Sequence, residues 1–150
     1  MAAYRSSADI SLVGWSLGGI YAREVAKRLR SRVRQVVTIG SPFAGSSQGT
    51  NAALVYRMLN GRSPEIDAAM SKELGMAPTV PTTSIFSLTD DVVAWQACIQ
   101  AGAGANTENV DVAGSHCGLG WNAEACSVFA DRLRQQSGAW RRYAARIERR

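Results

Sequence analysis

The stretch Ile10-Ser11-Leu12-Val13-Gly14-Trp15-Ser16-Leu17-Gly18-Gly19-Ile20 decides how the rest of the chain is read. An apolar run, Ile10 to Val13, leads in, and a helical pattern from Ile20 to Leu29 leads out. A strand that turns abruptly into a helix, with a serine at the apex, holds the serine hydroxyl where a base can reach it. Gly14 and Gly18 flank Ser16 at two residues on either side. They are read as places where strand and helix backbones approach too closely for side chains. A bare G-x-S-x-G in a chain with 14 glycines is a weak signal, and the strand before and helix after it give it weight. The competing reading is a Gly-rich turn with an incidental serine. The downstream chain decides between them by supplying a base and an acid, or failing to.

Asp9 to Trp15 reads as a short parallel strand covered on both faces, because its apolar residues do not alternate cleanly. Ile20, Ala22, Val25, Ala26, Leu29 and Val33 fall at helical spacing. Arg23, Lys27, Arg30 and Arg34 fall opposite, as a solvated face. Gln35 to Gly40 is the second strand, so strand, helix and strand make a βαβ unit and a parallel sheet follows. Phe43 to Pro81 is a long excursion. It is expected to hold a Gly/Ser stretch, a helix over Ala52 to Leu59, and a second helix with Ser63 as N-cap, Pro64 in its first position and Gly75 after its end. A connection of this length is too long for a simple crossover. It reads either as a lid over a substrate site or as helices covering the sheet. Its apolar residues, Phe43, Leu54, Val55, Tyr56, Met58, Leu59 and Met70 among them, suit an acyl chain and helix packing equally.

Thr82 to Leu88 is the third strand, β-branched and aromatic. A short helix is expected over Val92 to Ala101, then a loop of small residues over Gly102 to Asn106. Glu108 to Ala113 is the fourth strand, near an edge. Asn122 to Arg134 is the final amphipathic helix, with Ala125, Val128, Phe129, Arg132 and Leu133 on one face. The fold class is therefore α/β: about four parallel strands, flanking helices and a helical, lid-like insertion at about residues 43–81. Residues 1–134 form this domain, and 135–150 form a basic C-terminal tail.

Composition narrows the function classes. A chain of 150 residues with 46% hydrophobic content can bury one core. No apolar run reaches the length of a membrane span, and the first residues contain no signal-peptide apolar region, so a cytoplasmic location is the default expectation. The net charge of +5 is unevenly placed, because seven arginines and a single acid, Glu148, lie between Arg132 and Arg150. The body is close to neutral. The basic end, with Trp140 and Tyr143, reads as a solvated terminal helix rather than a nucleic-acid or anionic-membrane surface. Cys98, Cys117 and Cys126 lack the spacing of a zinc site. All are reduced or one pair is bridged, and Cys98–Cys117 is the first pair to test.

Ligand chemistry in open α/β sheets lies beyond the carboxyl ends of the strands. Ser16 follows the first strand, Asp90 the third and His116 the fourth. All three are expected on one edge of the sheet, in the order Ser, Asp, His. His116 is the only histidine in the chain, so it is the candidate base. Asp91 competes with Asp90 as the acid. Asp90 is preferred because it comes first after the strand, although turn chemistry alone would also explain an Asp-Asp pair there. The N–H of Leu17, at a helix N-terminus, is the candidate oxyanion donor.

Gly-Trp-Ser-Leu-Gly-Gly at 14–19, Ile-Gly-Ser-Pro-Phe at 39–43, Ser-Leu-Thr-Asp at 87–90 with Val92-Val93-Ala94-Trp95, and Gly-Ser-His-Cys-Gly-Leu-Gly at 114–120 resemble the α/β-hydrolase superfamily. Within it they resemble lipase- and esterase-like members related to the GPI-inositol-deacylase-like group. The resemblance implies a Ser16–Asp90–His116 triad, hydrolysis of a small-molecule or lipid ester, and no cofactor or metal. It also implies strands and an oxyanion loop ahead of the elbow, whereas the elbow here begins at residue 14. The chain thus corresponds to the C-terminal half of such a domain, and its first strand is expected to have an open apolar edge. A start at an internal methionine, a truncated gene, or a partner chain supplying the missing strands would each account for this, the first two being preferred.

Overall fold

The computed structural model describes residues 10–45, 68–102 and 104–144. Its elements run β1 (Ile10–Trp15), α1 (Leu17–Arg28), β2 (Val33–Ile39), α2 (Ala68–Gly75), β3 (Thr82–Phe86), a 3-10 turn (Trp95–Ala97), β4 (Thr107–Asp111), α3 (His116–Leu119) and α4 (Ala123–Arg134). The four strands form one parallel sheet in the order β1-β2-β3-β4. Spatial order follows chain order, and because all three pairings are parallel the carboxyl ends of the four strands point the same way. The expected helix over 52–59 and the Ser63 and Pro64 start of the next helix lie outside the described residues.

The core is built from the alternation of β2. Val36 packs with Ala22 and Ala26 of α1, while its neighbour Val37 packs with Ala125 and Val128 of α4. Adjacent strand residues point to opposite faces, so the two helices cover opposite sides of the sheet. Val33 lies on the α1 side with Val36, three residues away. An irregularity in the pairing with β1, where Ile10 meets Val33 but Ser11 meets Gln35, inserts one residue and restores the shared face. Val33 and Arg34 are expected on the helix from their spacing. Both belong to β2, because α1 ends at Arg28 and a short turn over 29–32 follows it.

β1 departs from the expected strand covered on both faces. Leu12 packs toward α1, but Ile10, Val13 and Trp15 are 42%, 43% and 45% exposed. It is an edge strand, and among the described residues nothing pairs with its outer side. Three further boundaries moved. β3 stops at Phe86, because the Ser87 hydroxyl turns to accept the N–H groups of Thr89 and Gly114. The expected helix over 92–101 shrinks to a 3-10 turn. Ala94 is extended (φ −61°, ψ 123°), and the Gln100 N–H is taken by Asn109 Oδ1 at 2.8 Å instead of a carbonyl one turn back. α3, unforeseen, is capped by the Ser115 hydroxyl, which accepts from Gly118 N–H.

Two arginines organise the packing. Arg23 was expected on a solvated face, yet it is fully buried. Its guanidinium lies 3.6 Å from the Phe43 ring centroid and donates to the carbonyls of Gly75 and Met76 and to Gln100 Oε1. Carbonyls at the end of α2 thus replace water around the charge. Burial lowers its pKa to about 10, which leaves it charged at neutral pH. Phe43 packs with Ile20 and Leu17, so it is core, whereas Met70 of α2 is exposed. On the other face, Arg132 and Glu108 form a buried ion pair at 2.8 Å. Thr83 Oγ1 donates to Glu108 Oε1, and Tyr143 N–H donates to Oε2. The described residues after α4, 135–144, are therefore not helical. Gln135 is extended, Gly138 takes a positive φ of 80°, and the chain folds back until Tyr143 packs against the core.

Candidate active site

The carboxyl ends of β1, β3 and β4 deliver the candidate residues to one edge of the sheet. Ser16 joins β1 to α1 with φ 53° and ψ −126°, the one non-glycine residue with a positive φ among those described. A side chain is held in that conformation only where its surroundings impose it, at a cost of about 1–3 kcal/mol. The close packing of the turn does so. A β-carbon on Gly14 would sit 2.3 Å from the Gly18 carbonyl oxygen, and one on Gly19 would sit 2.0 Å from Ser41 Oγ. Gly18 itself has open space where a β-carbon would go. The close approach is therefore made by Gly14 and Gly19, and the expectation for Gly18 is corrected.

His116 Nε2 lies 2.9 Å from Ser16 Oγ, and His116 Nδ1 lies 2.8 Å from Asp90 Oδ2. All three groups are almost fully buried: Ser16 is 7% exposed, His116 5%, and the Asp90 side chain 2%. An ionised carboxylate can only accept, so the arrangement requires the proton on Nδ1, with Nε2 free to accept from the Ser16 hydroxyl. Asp90 Oδ1 is fixed in turn by the N–H groups of Val92 (2.9 Å) and Val93 (2.8 Å). Asp91 contacts a different part of the histidine. Its Oδ1 accepts from the His116 main-chain N–H at 3.0 Å. That bond, then the Asp91 residue's own N–H, hold its carboxyl below the usual 3.8, with the nearby imidazole adding to the effect and partial desolvation opposing it.

The loops that carry Asp90 and His116 are stitched together. Ser87 Oγ and Thr89 Oγ1 both accept from Gly114 N–H, at 3.1 and 3.2 Å. Gly40, at φ 53°, leaves room for the imidazole, since a β-carbon there would lie 3.4 Å from Nδ1 and Cε1. Trp15 Nε1 donates to the His116 carbonyl at 3.2 Å, with the two ring centroids 5.6 Å apart. Ser87, Thr89 and Trp15 lie within quoted motifs but receive no role from the sequence alone. The available signal for Ser87 and Thr89 is two hydroxyl residues just ahead of a strand-end aspartate in Ser-Leu-Thr-Asp, a composition that suits side-chain bonds to turn N–H groups. Nothing local to Trp15 announces a partner 101 residues away.

Leu17 opens α1, so its N–H is among the first-turn donors that have no acceptor within the helix. It adjoins Ser16 at the positive end of the helix dipole, where a developing anion is favoured. Cys98, directly after the 3-10 turn, is buried with Val93 and Ala97, whereas Cys117 is exposed, and all three cysteines are free. Burial, then the Asp90 charge, push the Cys98 thiol up to about 12, so it is no nucleophile at neutral pH. Among the described residues no group of three or more His, Cys, Asp or Glu side chains converges as a metal site would, and no helix is long and apolar enough to cross a membrane. A groove of about 410 Å³ runs along β4 between Glu124 and Tyr143, but neither Ser16 nor His116 lines it.

No family model matches the chain, and no curated protein matches it in sequence. Solved structures do match. A thioesterase domain from the curacin biosynthetic pathway superposes with a TM-score of 0.57 at 12% identity, over 85% of this chain and 66% of its own. The esterase domain of a Rhodothermus marinus protein gives 0.54 at 22% identity, over 82% and 57%. A serine hydrolase involved in carbazole degradation gives 0.52 at 18% identity, over 83% and 63%. The chain therefore has a partial α/β-hydrolase fold, spanning less than two thirds of the length of each of these structures.

Proposed function

We propose that this chain carries the catalytic centre of a serine hydrolase that cleaves carboxylic esters. The observation that supports it is the unbroken line of hydrogen-bond distances from Ser16 Oγ through both His116 nitrogens to Asp90 Oδ2. Ser16 Oγ attacks the acyl carbon while Nε2 takes its proton. The carbonyl oxygen becomes an oxyanion, to which Leu17 N–H donates. Asp90, accepting from Nδ1–H, keeps the ring in the tautomer that can take the proton and stabilises the imidazolium that results. The imidazolium returns the proton to the departing alkoxide, leaving an acyl-enzyme. Water attacks the acyl carbon as the same nitrogen takes its proton, and return of that proton to Ser16 Oγ as the acyl–oxygen bond breaks releases the acid and regenerates the serine. No step calls for a metal or cofactor. The lipase- or esterase-like substrate, a small-molecule or lipid ester, comes from the sequence resemblance.

A second reading rests on β1. Its half-exposed apolar residues, and an outer side that no described residue pairs with, suit a fragment with impaired catalysis, working as a non-enzymatic module or with a partner that completes the sheet. A fluorophosphonate probe with intact-mass detection separates the readings. One adduct per chain, lost in Ser16→Ala and strongly slowed in His116→Ala, is expected of the hydrolase, together with turnover of short p-nitrophenyl esters. Folded protein that takes no adduct overturns the hydrolase reading for this chain. An adduct without turnover favours the impaired fragment.

A further inference from the structure

His116 is gripped by its main chain as well as by its ring. Asp91, the neighbour of Asp90, accepts from the His116 N–H at 3.0 Å. Trp15, the neighbour of Ser16, donates to the His116 carbonyl at 3.2 Å through Nε1. The same two segments that meet the imidazole nitrogens therefore also hold the two peptide groups on either side of it. We infer that Trp15 and Asp91 are positioning residues, which fix the His116 backbone so that its ring stays aligned between Ser16 and Asp90. The inference rests on the hydrolase reading for its effect on rate, but not for its effect on the histidine itself.

The argument is geometric. α3, which His116 opens, is only four residues long and follows a loop, so it offers the ring little rigidity of its own. The contact of Nε2 with Ser16 spans 100 residues and that of Nδ1 with Asp90 spans 26. Two ring bonds leave the residue free to rock about the line joining Ser16 and Asp90. Two main-chain anchors lying off that line, one from β1 and one from the loop after β3, remove this freedom. The Trp15 indole adds a wall, with its centroid 5.6 Å from the imidazole centroid and the planes tilted by 35°. Gly40 contributes space beside the ring, but no restraint of this kind.

The chain has a single histidine, so every histidine ring signal in a ¹⁵N spectrum belongs to His116. The test compares native protein with Trp15→Leu, Trp15→Phe and Asp91→Ala, reading the His116 ring nitrogen shifts and the rate of fluorophosphonate labelling at Ser16. The native protein is expected to show the Nδ1-protonated tautomer. Trp15→Leu and Asp91→Ala are expected to move the ring nitrogens toward a tautomer mixture and to slow labelling about tenfold, the equivalent of one hydrogen bond lost from the aligned state. Trp15→Phe, which keeps a ring wall but no N–H, is expected to fall between. Folded Trp15→Leu with native ring shifts and a native labelling rate overturns the inference. If Trp15→Leu does not fold, Trp15→Phe decides by the same two readings. Ring shifts that move while no protein, native included, is labelled would sink the hydrolase reading and leave the positioning role standing.

Discussion

A β-carbon on Gly14 would press against main-chain atoms of Gly18 and Gly19, none of which can swing aside, while one on Gly18 would meet open space. Gly14→Ala is expected to destabilise the fold by about 3 kcal/mol, as overpacking against backbone does. Gly18→Ala, inside the first turn of α1, is expected to be neutral or to stabilise by up to about 1 kcal/mol through helix propensity. Urea denaturation of the two variants checks the contrast. The cysteines divide in the same residue-by-residue way. Cys98 is 1% exposed with its thiol pushed up to about 12, and Cys117 lies on the surface. A thiol reagent at neutral pH is expected to modify Cys117 in the native protein and Cys98 only after unfolding, as peptide mapping would read. Asp91 brings a pH dependence. Its carboxyl is held below 3.8 chiefly by the His116 N–H. A group depressed on folding contributes stability that is in place above its unfolded pKa and lost as pH falls through the folded one. The stability difference between native protein and Asp91→Asn is therefore expected to be constant above about pH 5 and to shrink on acidification below it, measured by urea midpoints across pH.

Among the elements, α1 is the one whose surroundings the sequence misreported most. Its pattern gave part of the apolar stripe, with Ile20, Ala22 and Ala26 buried, but it ran the helix on to Val33 and Arg34, and Val25 and Leu29 are exposed. Arg23 did not follow the pattern. A charge can enter the interior when carbonyls and an aromatic face replace water, and those partners come from residues 43, 75, 76 and 100, which no helical periodicity can reveal. Arg23→Ala is expected to cost about 3 kcal/mol or more. It should also speed hydrogen exchange in α2 beyond that in β2, because the Gly75 and Met76 carbonyls lose their donor. Strand positions were legible because β-branched runs ended by turn residues are local signals. The third-strand end and the 3-10 turn were not, because Ser87 and Asp90 redirect the backbone through bonds to distant or non-periodic N–H groups. Ser16, Asp90 and His116 could be placed at strand ends from sequence, since a parallel sheet fixes which ends share an edge. What holds them there, Trp15, Asp91 and the Ser87–Thr89–Gly114 stitch, depends on which loops touch, and spacing along the chain carries no record of that.

At the scale of the whole molecule, one face of the sheet is closed by α1 and the other by α4, and the Arg132–Glu108 pair draws the segment after α4 back onto β3 and β4. The exposed side of β1 contrasts with this closure, and it lies directly ahead of the elbow. The strand order β1-β2-β3-β4 has a consequence in time. Each strand docks on the one made just before it, so the sheet can grow in the direction of synthesis, with the closure from β2 to β3 across residues 40–81 longer than the other two. The Ser16–His116 contact is the opposite case, because it joins positions 100 residues apart and needs the last strand already seated. In a refolding experiment, helical circular dichroism is expected to recover first, and probe labelling of Ser16 to recover only with the slowest folding phase. The serine would then act as a clock that strikes when the chain has finished folding.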